Sequence, residues 1–553
     1  MKNILVYNTP RLSQIMAAST HTARPSMQNP PTPREKLLSG FRAFQGSLKE
    51  HPLNAAILFL LACGLLVRVA LYWVTHYIVD DAMITFRYAA QIAAGNGFVY
   101  NTGERIYGTT TPLFALLLAG WRLLTNSDVI TGAVLLNLAA SLGTLVFVWM
   151  ALRKLGSTPA QQVCVIALLA LSHRVITFET QGMETVWVAF FMAASWWAVA
   201  TGRIKLTGLF CGLLLWTRPD TFLWILALTL VSSRSSLRQA GQILLVCALV
   251  YLPWALFATA YFGSPIPNTI TAKWVTYLQF DTSPISNQIP IVFNYLAPVS
   301  FSLDFLRISL LAWLTVLIGV WQSLRTIRNR YFNILLIFAV LEISRLILTK
   351  ATFFAHYLYP ALWVMLLILG LGLGSLQAKL FAKKSSGRLA LFGLAMGWLL
   401  IMDTTAFLNS VSIGQEDQSM RHEAALKEMG LWLNRNTPPG ASVMLEPLGY
   451  VGYYADRRMI DEAGLVQPGV TEMKRQGVTD VYQYATAYHV DYIVAHCDEA
   501  TGWLASSAKG EMTFAQDFSL AAKFNPLNFD PNMENPDKQI ARDACYEIWG
   551  RGN

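Results

Sequence analysis

Two adjoining stretches, LNAAILFLLACGLLVRVALYWV at Leu53–Val74 and YIVDDAMITFR at Tyr77–Arg87, predict the fold of this chain and the place of its chemistry. The first stretch is apolar and reaches the roughly 20 residues that a helix needs to cross a bilayer. The second places two adjacent carboxylates, Asp80 and Asp81, just beyond the end of that span. Carboxylates beside a span are costly unless they are solvated, paired or used. The pair therefore indicates a polar site at the surface of a membrane protein.

The composition indicates a protein with several spans. Of the 553 residues, 54% are hydrophobic and 14% are charged, and the mean hydropathy is +0.41. A soluble protein carries about 25% charged residues, so this shortage of charge indicates a surface that faces lipid. Further runs of spanning length occur at Val129–Leu152, Gln239–Ala260 and Ala355–Leu376. We therefore predict an all-α, polytopic membrane domain over residues 51–410.

The basic residues predict how this domain is oriented. The net charge of +9 comes from Lys and Arg residues that lie mainly in short loops between spans. This distribution is typical of cytoplasmic loops and not of a nucleic-acid-binding surface. Thr111–Leu124 is short for a span and contains Arg122, so we expect it to lie in the membrane interface. About eleven spans then keep the basic loops inside. Two long outer loops, 77–128 and 262–304, would face the opposite side.

The two ends of the chain differ from this domain. Residues 1–50 are polar and show no signal-peptide core, so they predict a disordered cytoplasmic arm. Residues 411–553 should lie outside. There, Arg421–Asn434 has helical spacing, whereas Ala441–Leu445 and Val490–Ala495 are short and β-branched, as in strands. This region is predicted to be a small soluble domain of mixed α/β type.

The six cysteines fall into two groups. Four lie in apolar runs, where helix packing is their expected role, and the spacing is not that of a zinc site. Cys497 and Cys545 lie in the polar C-terminal region. They could form a disulfide if that region faces an oxidising compartment.

Polar residues at the ends of the predicted spans gather on the outer side. Carboxylates, amides and bases collected on one side indicate an active-site cavity that opens outward. The chemistry that fits is transfer of a sugar from a lipid-linked donor. A carboxylate can deprotonate the acceptor hydroxyl, cations can stabilise a phosphate leaving group, and Arg can bind two phosphate oxygens. Apolar helices nearby would hold the prenyl tail.

Several motifs resemble a known class of proteins. DDAMITFRYA from Asp80, GNGFVYNTGER from Gly95 and YGTTTPL from Tyr107 resemble the first outer loop of membrane glycosyltransferases of the GT-C class. Within that class they resemble the bacterial arabinofuranosyltransferases of the AftB type and relatives that use polyprenyl-phosphate sugars. Further blocks in the same order are GMET at Gly182–Thr185, TRPD at Thr217–Asp220, GSPIPNTITAK at Gly263–Lys273, HYLYP at His356–Pro360 and IDEAGL at Ile460–Leu465.

The resemblance implies an activity and a set of site residues. It implies an inverting displacement that moves a sugar, with arabinofuranose favoured, from a polyprenyl phosphate to a hydroxyl of a cell-envelope glycan, lipid or protein. One Asp of the pair would be the base, with Asp80 the first candidate and Asp81 either a supporting residue or the base itself. It also implies a bacterial inner membrane with a periplasmic site. The candidate substrate-binding residues are Arg87, Glu184, Arg218, Asp220, Asn268, Lys273, His356 and Tyr357.

Each of these residues also has a structural interpretation. The aspartate pair could cap the helix that follows it, and Glu184 could interact with the N-terminal dipole of its own span. Arg218–Asp220 could be a turn with a local ion pair. Lys273 could extend to lipid headgroups, and His356 could be an interfacial histidine.

The sequence is compatible with more than one cofactor state and more than one functional class of protein. Asp80, Asp81 and Glu184 could converge on a divalent metal, but their spacing does not establish one, and no cofactor is assigned. A transporter or flippase of lipid-linked sugars is the main alternative, and a non-catalytic scaffold is a third class. A transporter needs polar groups along its whole path, including the cytoplasmic half, whereas the candidates here concentrate on the outer side.

Overall fold

The structure is a computed structural model, and it describes residues 52–278, 283–296, 317, 321, 330–350, 354–381, 418–524 and 545–552. The arm predicted over residues 1–50 lies outside the described residues, as do parts of the predicted 262–304 loop and of the 411–553 region. The helices before the C-terminal region are α1 (Pro52–Thr75), α2 (Asp80–Ala93), α3 (Pro112–Thr125), α4 (Val129–Lys154), α5 (Pro159–Leu171), α6 (His173–Thr180), α7 (Thr185–Ala200), α8 (Ile204–Thr217), α9 (Phe222–Ser233), α10 (Leu237–Phe262), α11 (Asn268–Lys273), α12 (Gln288–Leu296), α13 (Asn333–Leu348) and α14 (Tyr359–Phe381).

Five stretches among the described residues are long and apolar enough to cross a membrane: α1, α4, α10, α13 with its preceding turn, and Ala355–Gln377, which includes most of α14. The bent pair α5–α6, with a 51° break, would make a sixth. The four apolar runs quoted from the sequence are therefore confirmed as helices of spanning length. The predicted count of eleven for the whole chain is not confirmed by these five or six spans, which are counted among the described residues only. The helices α7, α8 and α9 are apolar but shorter.

The helix α3 bears on the predicted orientation. Its 14 residues begin with Pro112 in the first turn and end at a left-handed Asn126. At 1.5 Å per residue such a helix is about 21 Å long, which is shorter than the hydrocarbon core of about 30 Å. This length agrees with the expectation that the segment around Arg122 does not make a full crossing by itself.

A buried ionic cluster ties four helices of the membrane region together. Arg68 of α1 pairs with Glu179 of α6 at 2.7 Å. Glu179 also accepts hydrogen bonds from Ser141 of α4 and Tyr359 of α14, both at 2.6 Å. The charge is therefore paired and hydrogen-bonded, as a buried ion must be to offset its desolvation. Glu179 is a structural residue of the bundle.

The C-terminal region is of mixed α/β type, as predicted. Its five-stranded sheet has the order β2-β1-β3-β5-β4. The strands β2, β1 and β3 run parallel, whereas β5 is antiparallel to both of its neighbours. The structure joins Cys497 to Cys545 by a disulfide with an S–S distance of 2.00 Å. The elements are α15 (Gln418–Asn436), β1 (Ser442–Leu445), α16 (Leu448–Ala455), β2 (Arg458–Asp461), α17 (Pro468–Arg475), α18 (Val481–Ala487), β3 (Tyr492–His496), α19 (Cys497–Ala508), α20 (Phe514–Asp517), β4 (Phe518–Phe524) and β5 (Tyr546–Arg551).

This C-terminal region packs closely on the first outer loop. A Cβ atom at Gly449 of α16 would lie 2.6 Å from the carboxyl carbon of Asp80, so only glycine allows α2 and α16 to approach this closely. The Tyr100 hydroxyl donates to the carbonyl of Leu448 at 2.6 Å. Asn101 exchanges two hydrogen bonds with the backbone of Met459, at 2.8 and 3.0 Å. The outer loop and the C-terminal region therefore form one packed body.

Candidate active site

Two neighbouring cavities lie against the end of α8, the helix α11 and the turn before α14, and the smaller one is also lined by α2. The larger, of about 630 Å³, has a mostly apolar lining and is called here the apolar cavity. The smaller, of about 50 Å³, is lined mainly by polar and charged residues and is called the polar chamber. The residues that line both, called here the boundary, are Thr110, Arg218, Thr269, Lys273 and Tyr357.

The two aspartates point to different places. Asp81 lines the polar chamber. The carboxylate of Asp80 instead accepts hydrogen bonds from the backbone N–H groups of Gly449 and Tyr450, at 3.0 and 2.7 Å. These groups lie in the first turn of α16, where a helix favours an anion. Asp80 therefore caps a helix, but it is α16 and not its own helix.

This geometry corrects the order of the two candidate bases. Neighbouring residues of a helix point about 100° apart, so one carboxylate can enter the chamber while the other packs against α16. Burial raises the pKa of the Asp80 carboxyl to about 7, in spite of the hydrogen bond from Tyr450. Because Asp80 lies outside the chamber, Asp81 becomes the first candidate.

Arg218 is the centre of the charged network at the boundary. It ends α8, and Pro219 turns the chain so that its guanidinium binds both oxygens of Asp220, at 3.0 and 2.6 Å. It also lies 3.5 Å from Glu184 and 4.6 Å from the centre of the Tyr357 ring. The local ion pair expected as an alternative does form, but within a larger network that includes Arg345, 3.7 Å from Asp220.

Glu184 belongs to the same network. It stands at the N-cap of α7, but its side chain makes no capping hydrogen bond there. Its carboxylate instead lines the polar chamber and faces Arg218. The structure thus brings Glu184 together with Arg218 and Asp81, as a single site requires.

Lys273 carries the least compensated positive charge at the boundary. Among the described residues no carboxylate lies within ion-pair distance of its Nζ, which is 3.4 Å from the Tyr357 hydroxyl and 4.0 Å from the centre of the Phe354 ring. Both cavities include Lys273 in their lining, so its side chain faces inward and does not extend to headgroups. An anion at the boundary would therefore meet an ammonium group that has no carboxylate partner among the described residues.

His356 and Tyr357 come from the turn that precedes α14. Both line the polar chamber, with ring centroids 4.5 Å apart. Among the described residues no group of three His, Cys, Asp or Glu side chains has a geometry that could hold a metal ion. The Asp80 carboxylate binds the backbone of α16, so the convergence of Asp80, Asp81 and Glu184 that the sequence left open does not occur among the described residues.

Arg87 is a correction to the predicted site. Its guanidinium is buried and donates to the carbonyls of Tyr100 at 2.9 Å, of Arg457 at 2.6 Å and of Gly452. Neither cavity includes it in its lining. Its donors are used by backbone carbonyls, so the observed role of Arg87 is to hold the outer loop to the C-terminal region.

Asn268 is a second correction. Its side-chain amide donates to the carbonyls of Gly464 and Leu465, at 2.7 and 2.9 Å, and its backbone N–H donates to Tyr107 at 2.8 Å. These bonds place the start of α11 against the C-terminal region. Asn268 therefore positions α11 and, through it, Lys273.

The structure adds a row of hydroxyl groups that the sequence interpretation did not select. The hydroxyl of Thr111 lies 2.9 Å from that of Thr85 and 3.1 Å from that of Thr109, and all three residues line the polar chamber. The three consecutive threonines of the YGTTTPL motif could have indicated these hydroxyl groups. In the sequence, that motif supported only the resemblance to membrane glycosyltransferases. Hydroxyls beside a carboxylate suit a ligand that is itself rich in hydroxyls.

The chain is similar to several known proteins. The terminal beta-(1->2)-arabinofuranosyltransferase of Mycobacterium tuberculosis (strain ATCC 25618 / H37Rv) is 28% identical over a region that covers 36% of this chain and 35% of the relative. The match thus spans about a third of that relative's length. Residues 412–549 match the family described as a domain of unknown function (DUF8728).

Two solved structures share the fold. ArnT from Cupriavidus metallidurans bound to undecaprenyl phosphate aligns over 89% of this chain and 97% of its own, with a TM-score of 0.59 and 14% identity. The oligosaccharyltransferase AglB from Archaeoglobus fulgidus, in complex with an inhibitory peptide and a dolichol-phosphate, aligns over 81% and 69%, with a TM-score of 0.53 and 14% identity. The fold is therefore of the GT-C type, which confirms the resemblance of the motifs.

Proposed function

We propose that this protein is a membrane glycosyltransferase that moves a sugar from a polyprenyl-phosphate donor to a hydroxyl acceptor. One observation carries the proposal: a carboxylate, Asp81, lines a polar chamber that meets a large apolar cavity across a boundary with Arg218 and Lys273. A lipid-linked sugar has the same three parts in the same order, namely a polar sugar, an anionic phosphate and an apolar chain.

The apolar cavity suits the lipid part of the donor. Phe222, Ile270, Trp274 and Phe354 are among its lining residues, and the first three are exposed on the surface. A ligand site of this kind combines an apolar wall with a few polar groups that fix orientation. The polyprenyl chain would lie here, and its phosphate would reach Lys273 at the boundary.

The chamber suits the reacting end of the donor. The acceptor oxygen attacks the anomeric carbon while the bond from that carbon to the phosphate oxygen breaks, and the acceptor proton passes to Asp81. Polyprenyl phosphate leaves with the bonding electrons, so negative charge develops on the phosphate. Lys273 and Arg218 stabilise that charge where it develops. Attack opposite to the leaving group inverts the anomeric centre.

Glu184 has a supporting role in this scheme. It stands 3.5 Å from Arg218 and, together with Asp220, fixes the guanidinium between two carboxylates. A cation held in one orientation stabilises a transition state without reorganisation at the moment of reaction. His356 and Tyr357 close the chamber on the side of α14 and would contact the sugar.

The mycobacterial relative supports a proposal for the sugar. The mycobacterial relative is named an arabinofuranosyltransferase, and this favours arabinofuranose as the donor sugar. The acceptor would be a cell-envelope glycan, lipid or protein. The relatives and structural neighbours give no support to the transporter alternative.

The proposal includes a topology. The protein would be a bacterial inner-membrane protein of about eleven spans, with a cytoplasmic arm at residues 1–50 and a periplasmic domain at 411–553. The disulfide between Cys497 and Cys545 fits an oxidising compartment, because such bonds persist outside the cytosol. The docking of the C-terminal region on the outer loop fits the same side of the membrane.

The test is release of polyprenyl phosphate by the purified full-length protein. A panel of polyprenyl-phosphate sugars, including arabinofuranose, is offered with crude envelope acceptor, and the products are followed by mass spectrometry. We expect release with one donor and transfer of its sugar to the acceptor. Movement of intact lipid-linked sugar across proteoliposomes, with no release, would instead favour the transporter class.

A further inference from the structure

Thr269 has an unused hydrogen-bonding group at the point where the two cavities meet. The residue is only 5% exposed, and its Oγ1 has no hydrogen-bond partner among the described residues. It is one of the five boundary residues. A buried hydroxyl without a partner is costly and calls for an explanation, such as a ligand that completes it.

The local structure explains why the hydroxyl is unpaired. A helical Thr commonly donates to the carbonyl four residues earlier, as Thr259 does to Ala255 at 2.8 Å. Thr269 is the second residue of α11, and the residues before Asn268 are not helical, so no carbonyl of an earlier turn is in position. The hydroxyl is therefore available to a ligand.

The position of Thr269 on α11 relates it to Lys273. The two are four residues apart, so their side chains lie on one face of the helix. That face is held toward the cavities because Ala272 is fully buried behind it and Asn268 is hydrogen-bonded to the C-terminal region. A π-helical turn, Trp274–Leu278, follows directly, and such turns are frequent at functional sites.

From this placement we propose that the Thr269 hydroxyl donates a hydrogen bond to the phosphate group of the lipid-linked donor and supports its departure. The inference rests on the proposed function and adds a phosphate-binding residue to the site. Lys273 supplies a point charge, whereas Thr269 supplies one directed hydrogen bond from the same helix face. Together they distinguish a phosphate oxygen from other oxygens of the donor.

The reaction gives this hydrogen bond a defined consequence. In the donor the phosphate is a diester with one negative charge, whereas in the product it is a monoester whose second pKa is about 6. A hydroxyl that donates a hydrogen bond to a more negatively charged oxygen makes a stronger hydrogen bond. The Thr269 hydroxyl therefore binds the product, and the transition state that leads to it, more tightly than it binds the donor.

The experiment compares three variants in the full-length protein: Thr269→Val, which removes the hydroxyl at nearly constant shape; Thr269→Ser, which keeps it; and Thr259→Val. Thr259 is a helical threonine of α10 that is exposed and lines neither cavity, so its variant is the matched control. Binding of polyprenyl phosphate and of the donor is measured in nanodiscs, and kcat is measured with the donor and acceptor.

Thr269→Val is expected to weaken binding of polyprenyl phosphate and to lower kcat by about 10- to 100-fold, the effect of one hydrogen bond to a charged group. Donor binding should change by about threefold or less. Thr269→Ser should restore both values, and Thr259→Val should behave as the wild type. Thermal stability of Thr269→Val should not fall, because the lost hydroxyl has no hydrogen-bond partner in the part of the chain that the structure describes.

Two results would overturn the inference. In the first, Thr269→Val binds polyprenyl phosphate as the wild type does. In the second, its stability falls and the Ser variant does not restore binding, which would show a structural role. Failure of the proposed function is a separate result. If the wild type releases nothing from any donor, the binding comparison with polyprenyl phosphate still decides the role of Thr269.

Discussion

Replacing Arg87 by Met should loosen the C-terminal region without removing a substrate contact. The guanidinium donates to three buried carbonyls, those of Tyr100, Gly452 and Arg457, and more weakly to Asn101 at 3.4 Å. Methionine has a similar stem and no donor, so it leaves three acceptors unpaired. At about 1 to 3 kcal/mol for each unpaired group, and with some relief from entering water, the cost is about 3–5 kcal/mol. That is a large part of the stability of a typical domain.

Hydrogen exchange over Leu448–Asp461, measured by mass spectrometry in nanodiscs, reports this loosening directly. The matched control is Arg105→Met, because Arg105 carries the same charge on the same loop but is exposed. Its one described aromatic contact is with the Tyr261 ring, 4.7 Å from the centroid. That contact is worth about 0.5–1 kcal/mol. We expect the exchange of Arg87→Met to be about 100-fold faster than that of the control, since each 1.4 kcal/mol is a factor of ten.

One result would refute the structural role of Arg87. If Arg87→Met exchanges at the rate of the Arg105 control but loses affinity for the donor, Arg87 contacts the substrate. The residue would then return to the set of binding residues that the sequence indicated.

Three further predictions test other parts of the account. Gly452→Ala should speed the same hydrogen exchange, because its Cβ would collide with the Tyr100 hydroxyl, and unchanged exchange would contradict the close packing. Lys273→Met should weaken binding of polyprenyl phosphate by about 10- to 100-fold, whereas the exposed Lys205→Met should not. Burial raises the pKa of the Glu423 carboxyl to about 9, so the folded state keeps a proton that the unfolded state loses above about pH 4.5. The free energy of unfolding should therefore fall as pH rises from about 5 to 9, and Glu423→Gln should flatten this dependence in thermal unfolding scans.

Patterns along the chain predicted most of the framework. Hydropathy located the four long helices, and the β-branched runs located β1 and β3, because each signal depends on a local period. The three helices α7, α8 and α9 were harder to interpret. Each is shorter than a bilayer is thick, so a hydropathy window cannot separate a crossing from a partial insertion.

The site was predicted less completely, because its roles are decided by distant contacts. Asp80 and Asp81 cannot be distinguished in the sequence. Asp80 caps a helix because it contacts α16, which lies more than 360 residues later in the chain. Arg87 and Asn268 have suitable side chains for binding a sugar or a phosphate. Their N–H donors bind backbone carbonyls. Every residue has a backbone carbonyl, so the local sequence does not show which carbonyl will be the partner.

The hydroxyl groups were missed for the opposite reason. Threonines are common in helices and loops, so a threonine in the sequence does not by itself indicate a site. The hydroxyl groups become candidates only when the fold places several of them in the lining of one cavity. The chamber does this by bringing Thr85 of α2 next to Thr109 and Thr111. Thr269 joins them from the first turn of α11, and no periodic pattern relates it to the others.

The most direct test of the central claim compares Asp81→Asn with Asp80→Asn in the release of polyprenyl phosphate. The account predicts that Asp81→Asn lowers turnover by about 100- to 10,000-fold, the contribution of a general base, while donor binding is retained. Asp80→Asn should keep measurable turnover and instead lower thermal stability, because its carboxylate caps α16. Full turnover in Asp81→Asn, or a loss confined to Asp80→Asn with its stability unchanged, would contradict the assignment of Asp81 as the base.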